Sequence, residues 1–471
     1  MLFNSFEYFV FFVATLAVSW RLAGFNRLRI WFLLLASLYF YFSNNHWQIL
    51  LLLFATTVDY FVSLRMQHER GLARRLLLCV SVVSNLGLLA YFKYINFLAD
   101  TAKAMAATIG LKLDWIDLNV VLPVGISFYT FEALSYTIDV YRGKIPAERR
   151  WSRLTFLVSF FPHLIAGPIV RAANFFPQMD LPPRLPRDRL ERALFLIAGG
   201  LVKKMLLADT LAIFADRVFD NAQTVGSLAA WVGVYAFSFQ IYFDFSGYTD
   251  IALGSALLLG FELPQNFNRP YVALSITEFW HRWHMTLSSW LRDYLYIPLG
   301  GSRMRTRWGV YRNLMLTMFL GGLWHGAAWH FALWGALHGV LLSVERALGI
   351  RSWGADEVPS LGQRLLRGAV VFQVVTFLWI PFRAKTLDDA WAIVVHMFSF
   401  DSETIPTNGL VVAILVIVLA WLWQAVTEHR PLKERLLEAP LPVKAVAYSA
   451  VTVAVLIASS AAPKGFIYFQ F

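Results

Sequence analysis

The stretch LMLTMFLGGLWHGAAWHFALWGALHG, Leu314–Gly339, is apolar enough for a membrane interior, yet it contains three histidines. A helix needs about 20 apolar residues to cross roughly 30 Å of hydrocarbon, and this stretch exceeds that length. Ionisable side chains at membrane depth are costly unless they line a cavity or meet a polar partner. The stretch therefore predicts membrane-embedded helices whose histidines serve a cavity or a buried contact.

The whole chain has the composition of a polytopic membrane protein. Of its 471 residues, 58% are hydrophobic and 15% are charged, and the mean hydropathy is +0.55. Water-soluble enzymes rarely reach such values. The net charge of +11 comes from short basic clusters between apolar runs, which a cytoplasmic bias of membrane loops explains better than nucleic-acid binding does.

The single cysteine, Cys79, lies in an apolar run, where we expect a small buried residue. One cysteine excludes an intrachain disulfide framework and a cysteine-based metal site. The segment MLFNSFEYFVFFVATLAVSW, residues 1–20, lacks the basic region and clean cleavage site of a secretory signal. It is interpreted as a retained first membrane span.

Apolar runs of membrane-spanning length recur along the chain. They lie near residues 6–24, 30–43, 47–64, 76–98, 120–140, 154–170, 193–216, 228–260, 314–345, 366–382, 410–427 and 443–461. The two longest, 228–260 and 314–345, have room for a bend or a second helix. The pattern predicts an all-α polytopic membrane protein with roughly eleven transmembrane helices plus re-entrant and interfacial helices, forming a single integral domain over residues 1–471.

Short basic clusters predict the orientation of these spans. They occupy residues 65–75, 142–153, 303–312 and 430–435, and clusters of this kind favour the cytoplasmic side. Counting spans outward from the first and the last cluster places both termini on the exterior.

The segment from about 260 to 313 is aromatic-rich but too polar to span. Ser275 or Thr277 can cap a helix that has Glu278 in its first turn. The apolar residues that follow keep a helical spacing: Phe279, Trp283, Leu287 and Trp290 or Leu291. We expect one amphipathic helix at the membrane interface.

His325 is the leading candidate for chemistry. It stands between Trp324 and Gly326, with Gly321 and Gly322 one turn earlier, and small residues permit close helix approach or a passage for substrate. The alternative is a core histidine bonded to a nearby carbonyl. For His330 and His338 that packing role is the preferred interpretation.

Other polar groups offer weaker indications. His281 and His284 lie three residues apart and would share a helix face, where His284 could transfer protons near neutral pH. Glu278 and His281 form half of a Glu-x-x-His metal pair, but the chain has no second half, so no metal site is predicted. Asp244 and Asp250 are buried-acid candidates, unless each pairs with an arginine or caps a broken helix.

The chain has no Gly-x-Ser-x-Gly elbow, P-loop or dinucleotide fingerprint. Serine-hydrolase, nucleotide-hydrolase and dehydrogenase classes are therefore disfavoured. The residues alone indicate a membrane enzyme or transporter with a histidine-bearing cavity.

Several motifs closely resemble the membrane-bound O-acyltransferase family. They are PQNFNRPYVALSITEFWHRWHMTLSSWLRDYLYIPLGG (264–301), the opening stretch, LPVGISFYTFEALSYTIDVYRG (122–143), FFPHLIAGPIVR (160–171), QIYFDFSGYTDIALG (240–254) and FIYFQF (466–471). The likeness covers nearly the whole chain. The chain departs from the expected family pattern in having His281 in place of an arginine and Ala328 in place of an asparagine.

The resemblance implies a tunnel through the membrane, with His325 near its narrowest part and His284 as the second catalytic histidine. His325 would act as general base on an acceptor hydroxyl or carry the acyl group covalently, and His284 would orient or relay a proton. Asn266 or buried amides would stabilise the oxyanion. The donor, acetyl-CoA, would enter from the cytoplasm.

The resemblance also implies a role for the loop that carries Arg303, Arg305 and Arg307, whose guanidinium groups would hold the phosphates of the donor. The positive-inside bias alone would also place arginines there. Apart from the acetyl-CoA donor, no cofactor or metal is expected.

In the cell, the resemblance implies passage of acetyl groups across the bacterial inner membrane for O-acetylation of an exopolysaccharide such as alginate. Expected partners are membrane lipid, a periplasmic or secreted acetyltransferase and the polysaccharide acceptor. Alternatives are acyl transfer to peptidoglycan, cellulose or teichoic acid, and a non-catalytic acyl transporter or scaffold. The segment PKGFIYFQF, 463–471, is expected to pack against the protein near the exterior exit or to anchor in lipid headgroups.

Overall fold

The computed structural model describes residues 1–112, 118–350, 360–400, 409–426, 438–458 and 465–467. Within these ranges the chain forms helices and no strand. This confirms the predicted all-α polytopic membrane class.

The helices follow one another with short connections. In the first half of the chain they are α1 Phe6–Arg21, α2 Asn26–Asn45, α3 Ile49–Met66, α4 Gly71–Leu89, α5 Ile95–Thr108, α6 Ile126–Tyr141, α7 Trp151–Ser159, α8 Phe161–Leu164, α9 Ala172–Asp180, α10 Arg187–Leu201 and α11 Asp209–Asp220. In the second half they are α12 Ser227–Leu258, α13 Ile276–Arg282, α14 Met285–Leu291, α15 Arg307–His325, α16 Trp329–Ala347, α17 Leu361–Arg383, α18 Leu387–Ser399, α19 Leu410–Val426 and α20 Leu441–Ala458.

The chain divides into two compact units. The first contains Met1–Leu190 and Ser255–Pro264, and the second contains Glu191–Gly254 and Gln265–Phe471. The expectation of a single integral domain stays a prediction.

Among the described residues, five helical stretches are long and apolar enough to cross a membrane on their own. They are Asn26–Met66, Gly71–Thr108, Ser227–Leu258, Leu361–Arg383 and Leu441–Ala458. Several other predicted spans are interrupted. The run 154–170 contains two short helices, α7 and α8, and the run 314–345 breaks between His325 and Trp329, whereas the run 228–260 forms the single continuous helix α12.

In the first unit, a buried arginine joins the segment 255–264 to the first two helices. Arg29 is 2% exposed, and its guanidinium donates to Ser19 Oγ at 3.0 Å and to the Leu259 carbonyl. It also lies over the Phe261 ring at 5.3 Å from the ring centroid. These contacts satisfy a cation that burial would otherwise make costly.

A close helix hairpin organises the second unit. The α15 and α16 backbones meet where Gly322 faces Gly335, so closely that a Cβ on either would overlap a carbonyl oxygen of the other helix, Phe331 O or Met318 O. Residues without side chains let helices approach in this way. The glycines of the opening stretch therefore set the spacing of the hairpin.

The predicted amphipathic helix after Ser275 is wrong in two respects. Ser275 Oγ does accept from the Glu278 amide at 3.0 Å, but the helix ends at Arg282 and α14 restarts at Met285. His284 adopts φ 40° at the break. The expected lipid-facing positions are buried, with Trp283 fully inaccessible, because this segment packs against protein.

The predicted burial of Cys79 is also wrong. Its thiol is free and its side chain is exposed on α4. An apolar run indicates a membrane helix but does not tell which positions face the protein.

Two expectations lie wholly or partly outside the described residues. The basic cluster 430–435 lies outside them entirely. Of the segment 463–471, only residues 465–467 are described.

We predict that Gly335→Ala destabilises the hairpin. The added methyl group meets the Met318 carbonyl, and overpacking of this kind costs about 1–3 kcal/mol. The midpoint of thermal unfolding in detergent measures the effect. Gly362→Ala in α17 is the matched control, because a Cβ at Gly362 meets nothing within 4 Å. Equal midpoints for the two variants would contradict the proposed close approach.

Candidate active site

His325 ends α15 inside an aromatic enclosure. The imidazole is 5% exposed, and its ring centroid lies 5.0 Å from that of Trp324, 5.2 Å from Trp334 and 5.3 Å from Phe382. All three rings meet it nearly edge-on. The following Gly326 has no room for a Cβ, which would overlap the Phe331 ring. The helix end therefore fixes the imidazole in a rigid, weakly polar surrounding.

His284 lies in the break between α13 and α14 and is completely buried. Its ring is 4.7 Å from Phe245 and 6.0 Å from Trp324. Burial lowers the pKa of the His284 imidazole to about 3, so the ring is neutral at physiological pH. A neutral imidazole keeps one donor and one acceptor nitrogen, as a proton relay requires.

The two predicted catalytic histidines contact the same indole. Trp324 lies beside His325 in sequence and meets the rings of both His325 and His284. Residues 41 positions apart are thus brought to one place, and the catalytic roles that the resemblance implies for them stay a prediction.

Asn266 holds the break that carries His284. Its carbonyl accepts from the Met285 amide at 2.9 Å, and its side-chain oxygen accepts from Thr286 Oγ1 at 2.6 Å. Among the described residues, no hydrogen-bond partner takes up the side-chain nitrogen. A buried amide donor is therefore available close to His284.

Helix α13 is fixed by an acid on α16. Glu345 accepts from the Thr277 amide at 3.0 Å and from Thr277 Oγ1 at 2.9 Å, at the end of α13 where a carboxylate is favoured. The same helix carries Trp280, whose ring centroid lies 5.7 Å from that of Trp334. Trp334 therefore contacts both α13 and the His325 imidazole.

The other histidines have separate surroundings. His338 is buried and accepts from Trp280 Nε1 at 3.3 Å, and His330 Nδ1 lies 3.0 Å from the Pro381 carbonyl. These contacts agree with the packing roles expected for both. His281 does not share a helix face with His284, because α13 ends between them, and Glu278 is engaged by Arg282 at 2.6 Å.

The two acids of α12 form ion pairs with lysines, and Asp244 is buried whereas Asp250 is partly exposed. Asp244 lies 2.7 Å from Lys204, and Asp250 lies 2.6 Å from Lys203. The expected pairing is found, although with lysines in place of arginines. The sequence analysis missed both lysines, even though two cations inside the apolar run 193–216 are as costly there as the acids.

Two cavities open near the basic end of the hairpin. One, of about 740 Å³, is lined by Arg305, Arg307 and Arg346. The other, of about 560 Å³, is lined by polar and apolar residues that include His281, Arg292, Met285, Leu291 and Met318. Thr277, Ser302 and Arg346 line both. Arg303, predicted to share the site, is not among the lining residues.

A third cavity, of about 610 Å³, lies beside His325. Gly326, Ala328 and Phe382 line it, together with two ion pairs, Asp216–Arg383 and Asp220–Lys385, each 2.8 Å long. The 19 residues of α15 extend about 27 Å at 1.5 Å per residue. Arg307 and the third cavity therefore belong to opposite ends of α15.

Known proteins are similar to this chain in sequence. The model of the membrane-bound O-acyltransferase (MBOAT) family matches residues 33–379. A probable alginate O-acetylase of Azotobacter vinelandii is 45% identical over 385 residues, which cover 80% of this chain and 74% of the relative. One from Pseudomonas aeruginosa is 42% identical over 432 residues, covering 90% and 80%.

A peptidoglycan O-acetyltransferase of Helicobacter pylori is 37% identical over 404 residues, covering 80% of this chain and 75% of the relative. The match to the family model extends through both compact units and includes both histidines of the candidate site. The chain therefore belongs to the membrane-bound O-acyltransferase family and is an O-acyltransferase of the membrane.

Proposed function

We propose that this membrane O-acetyltransferase takes acetyl groups from cytoplasmic acetyl-CoA and passes them across the bacterial inner membrane for O-acetylation of an exopolysaccharide such as alginate. The observation that carries the proposal is the His284–Trp324–His325 cluster. One cavity lies beside it, and the arginine-lined cavity belongs to the opposite end of α15. The two relatives named as probable alginate O-acetylases support the choice of polymer.

The two cavities at the basic end suit the donor. Arg305, Arg307 and Arg346 supply guanidinium groups for the phosphates of coenzyme A, which arginine binds with two parallel hydrogen bonds. The adjoining cavity has apolar residues, Met285 and Met318 among them, for the uncharged arm that carries the thioester. Its wall residue Trp280 packs on Trp334, which contacts His325. The thioester would thus approach the histidine pair from this side.

His325 is the proposed general base. Its imidazole takes the proton of an acceptor hydroxyl, whose oxygen attacks the thioester carbonyl. The tetrahedral intermediate then expels the coenzyme A thiolate, which receives the proton, and the acetyl ester leaves with the acceptor. The alternative route forms acetyl-His325 first and transfers the group in a second step. His284 would orient or relay the proton, and the Asn266 amide is a candidate donor to the oxyanion.

The cavity beside His325 suits an uncharged acceptor. Its two acids are each paired with a cation, so the charge of the four groups cancels. The cavity therefore offers no net positive charge to bind a polyuronate, whereas a serine or threonine hydroxyl of a protein needs none. We therefore propose that a periplasmic or secreted acetyltransferase accepts the acetyl group and then modifies the polysaccharide.

Other polymers and a non-enzymatic role are the alternatives. The relative named peptidoglycan O-acetyltransferase supports peptidoglycan as a second candidate polymer. A non-catalytic transporter or scaffold would need no histidine pair enclosed by aromatic rings. Release of free coenzyme A by the purified protein, with and without the partner acetyltransferase, separates an enzyme from a scaffold.

The proposed topology follows the basic clusters. Residues 65–75 and 303–312 face the cytoplasm, and both termini face the exterior. This arrangement brings the donor cavities to the cytoplasmic side and the cavity beside His325 to the exterior side.

We predict that His325→Ala lowers the rate of coenzyme A release by about 10²–10⁴, the usual contribution of a general base, while the protein still folds and inserts. His284→Ala should also reduce the rate strongly. His338→Ala is the comparison, because His338 shares the contact with Trp334 but has a packing role, so its effect should be milder. Equal losses in all three variants would favour packing over chemistry.

A double variant, Arg305→Gln with Arg307→Gln, should raise the KM for acetyl-CoA and leave kcat nearly unchanged. Losing two phosphate contacts at about 1.5–3 kcal/mol each weakens donor binding by at least about a hundredfold. Arg303→Gln is the control, since Arg303 shares the loop but does not line the cavity. If Arg303→Gln had the same effect as the double variant, loop charge and not cavity geometry would bind the donor.

A cysteine at position 305 should react with an impermeant maleimide only after the cells are permeabilised. The experiment requires a Cys79→Ser background, because the native thiol is exposed. Labelling of position 305 from outside intact cells would reverse the proposed orientation and with it the side of donor entry.

A further inference from the structure

A short segment near the C-terminus is buried in the second unit. Phe466 and Ile467 are 1% and 2% exposed. The Phe466 ring stacks on Tyr248 at 4.6 Å and approaches Phe245 at 5.6 Å. Phe466 and Ile467 therefore pack in the interior and do not serve as a lipid anchor, whereas Gly465 is exposed.

One ion pair binds the backbone of this segment at both ends. Asp244 Oδ2 accepts from the Ile467 amide at 2.6 Å, and Lys204 Nζ donates to the Gly465 carbonyl at 3.2 Å. The two side chains are joined to each other at 2.7 Å, and Lys204 also binds Asp209 at 2.8 Å. The buried Ile467 amide needs such a partner, because water does not reach it.

The helices that carry the pair approach unusually closely. A Cβ on Gly200 would lie 2.6 Å from the Gly247 carbonyl, and one on Gly247 would lie 3.0 Å from the Lys204 amide. Lys204 itself sits in the π-helical turn Val202–Ala208, a distortion frequently found at functional sites. This geometry brings the ammonium group to Asp244.

The same segment supports the wall of the histidine site. Phe245 follows Asp244 directly, and its ring contacts both Phe466 and the imidazole of His284, the latter at 4.7 Å. A buried ion pair adds little net stability, because desolvation offsets the attraction. The ion pair instead holds segment 465–467 in its place behind the Phe245 ring.

We infer that Lys204 and Asp244 are positioning residues for acyl transfer: their ion pair fixes segment 465–467 so that Phe466 supports Phe245 against His284. The kinetic part of this inference rests on the proposed function. The structural part does not, and two of the measurements below test it without any turnover.

The test compares Asp244→Ala with a control variant that breaks a neighbouring ion pair. Asp250→Asn breaks the Lys203–Asp250 pair, which joins the same two elements one residue from Lys204 and six residues from Asp244. In a Cys79→Ser, Ile467→Cys background, maleimide should label position 467 about tenfold faster when Asp244 is replaced, because local opening exposes it. The Asp250→Asn rate should match that of the parent.

A second measurement follows His284 directly. Carbethoxylation by diethyl pyrocarbonate, quantified on the His284 peptide by mass spectrometry, should accelerate in Asp244→Ala and stay slow in Asp250→Asn. The kcat for coenzyme A release should fall about tenfold in Asp244→Ala with an unchanged KM for acetyl-CoA, as expected for a displaced catalytic group.

Phe466→Ala leaves the ion pair intact and should give the same loss of kcat. Combining it with Asp244→Ala should cause little further loss, because both act through one contact. Asp244→Asn, which keeps an oxygen for the Ile467 amide, should retain more activity than Asp244→Ala.

The inference would be overturned if position 467 and His284 reacted as slowly in Asp244→Ala as in the parent protein. It would also be overturned if both positions reacted rapidly while kcat stayed normal. If the parent protein releases no coenzyme A, the proposed function fails. The two labelling rates then still decide whether the ion pair fixes the segment behind His284.

Discussion

The glycine contact between α15 and α16 is the constraint on which the candidate site depends. Gly322 and Gly335 bring two backbones so close that the intervening turn must be tight. As a result His325, at the end of one helix, meets Trp334, which lies in the second turn of the next. A wider hairpin would separate the imidazole from its enclosure, and the third cavity beside Gly326 would lose its shape.

The site combines a dry enclosure with nearby polar space. Aromatic edges surround His325, and burial keeps His284 neutral. A neutral imidazole in such surroundings takes up a proton only when a reaction supplies one. Charged groups line the cavities, with Arg305 in one and Arg383 in another.

Local patterns predicted much of the structure, and long-range packing explains the remainder. The cap at Ser275 and the membrane helices around His325 follow from neighbouring residues. The break at His284 does not, because the apolar spacing around Trp283 fits a continuous helix equally well. Only the bonds from Asn266, 18 residues earlier, show why the backbone turns there.

Pairings between distant residues were beyond the sequence analysis for the same reason. Asp244 was recognised as a buried acid, but its partner Lys204 lies 40 residues away and Ile467 more than 200. The exposure of Cys79 illustrates a related limit, since hydropathy does not distinguish a lipid-facing side from a protein-facing one.

Helix α12 has a consequence for the relation between the enzyme and its bilayer. Its 32 residues extend about 48 Å, well beyond the roughly 30 Å of a hydrocarbon core. A lipid-exposed helix of that length would have to tilt or deform the surrounding lipid. Most of α12 is instead buried by protein. The surrounding protein, and not the lipid, therefore accommodates the length of α12. Changes in membrane thickness should leave the depth of Asp244 in the membrane unaltered.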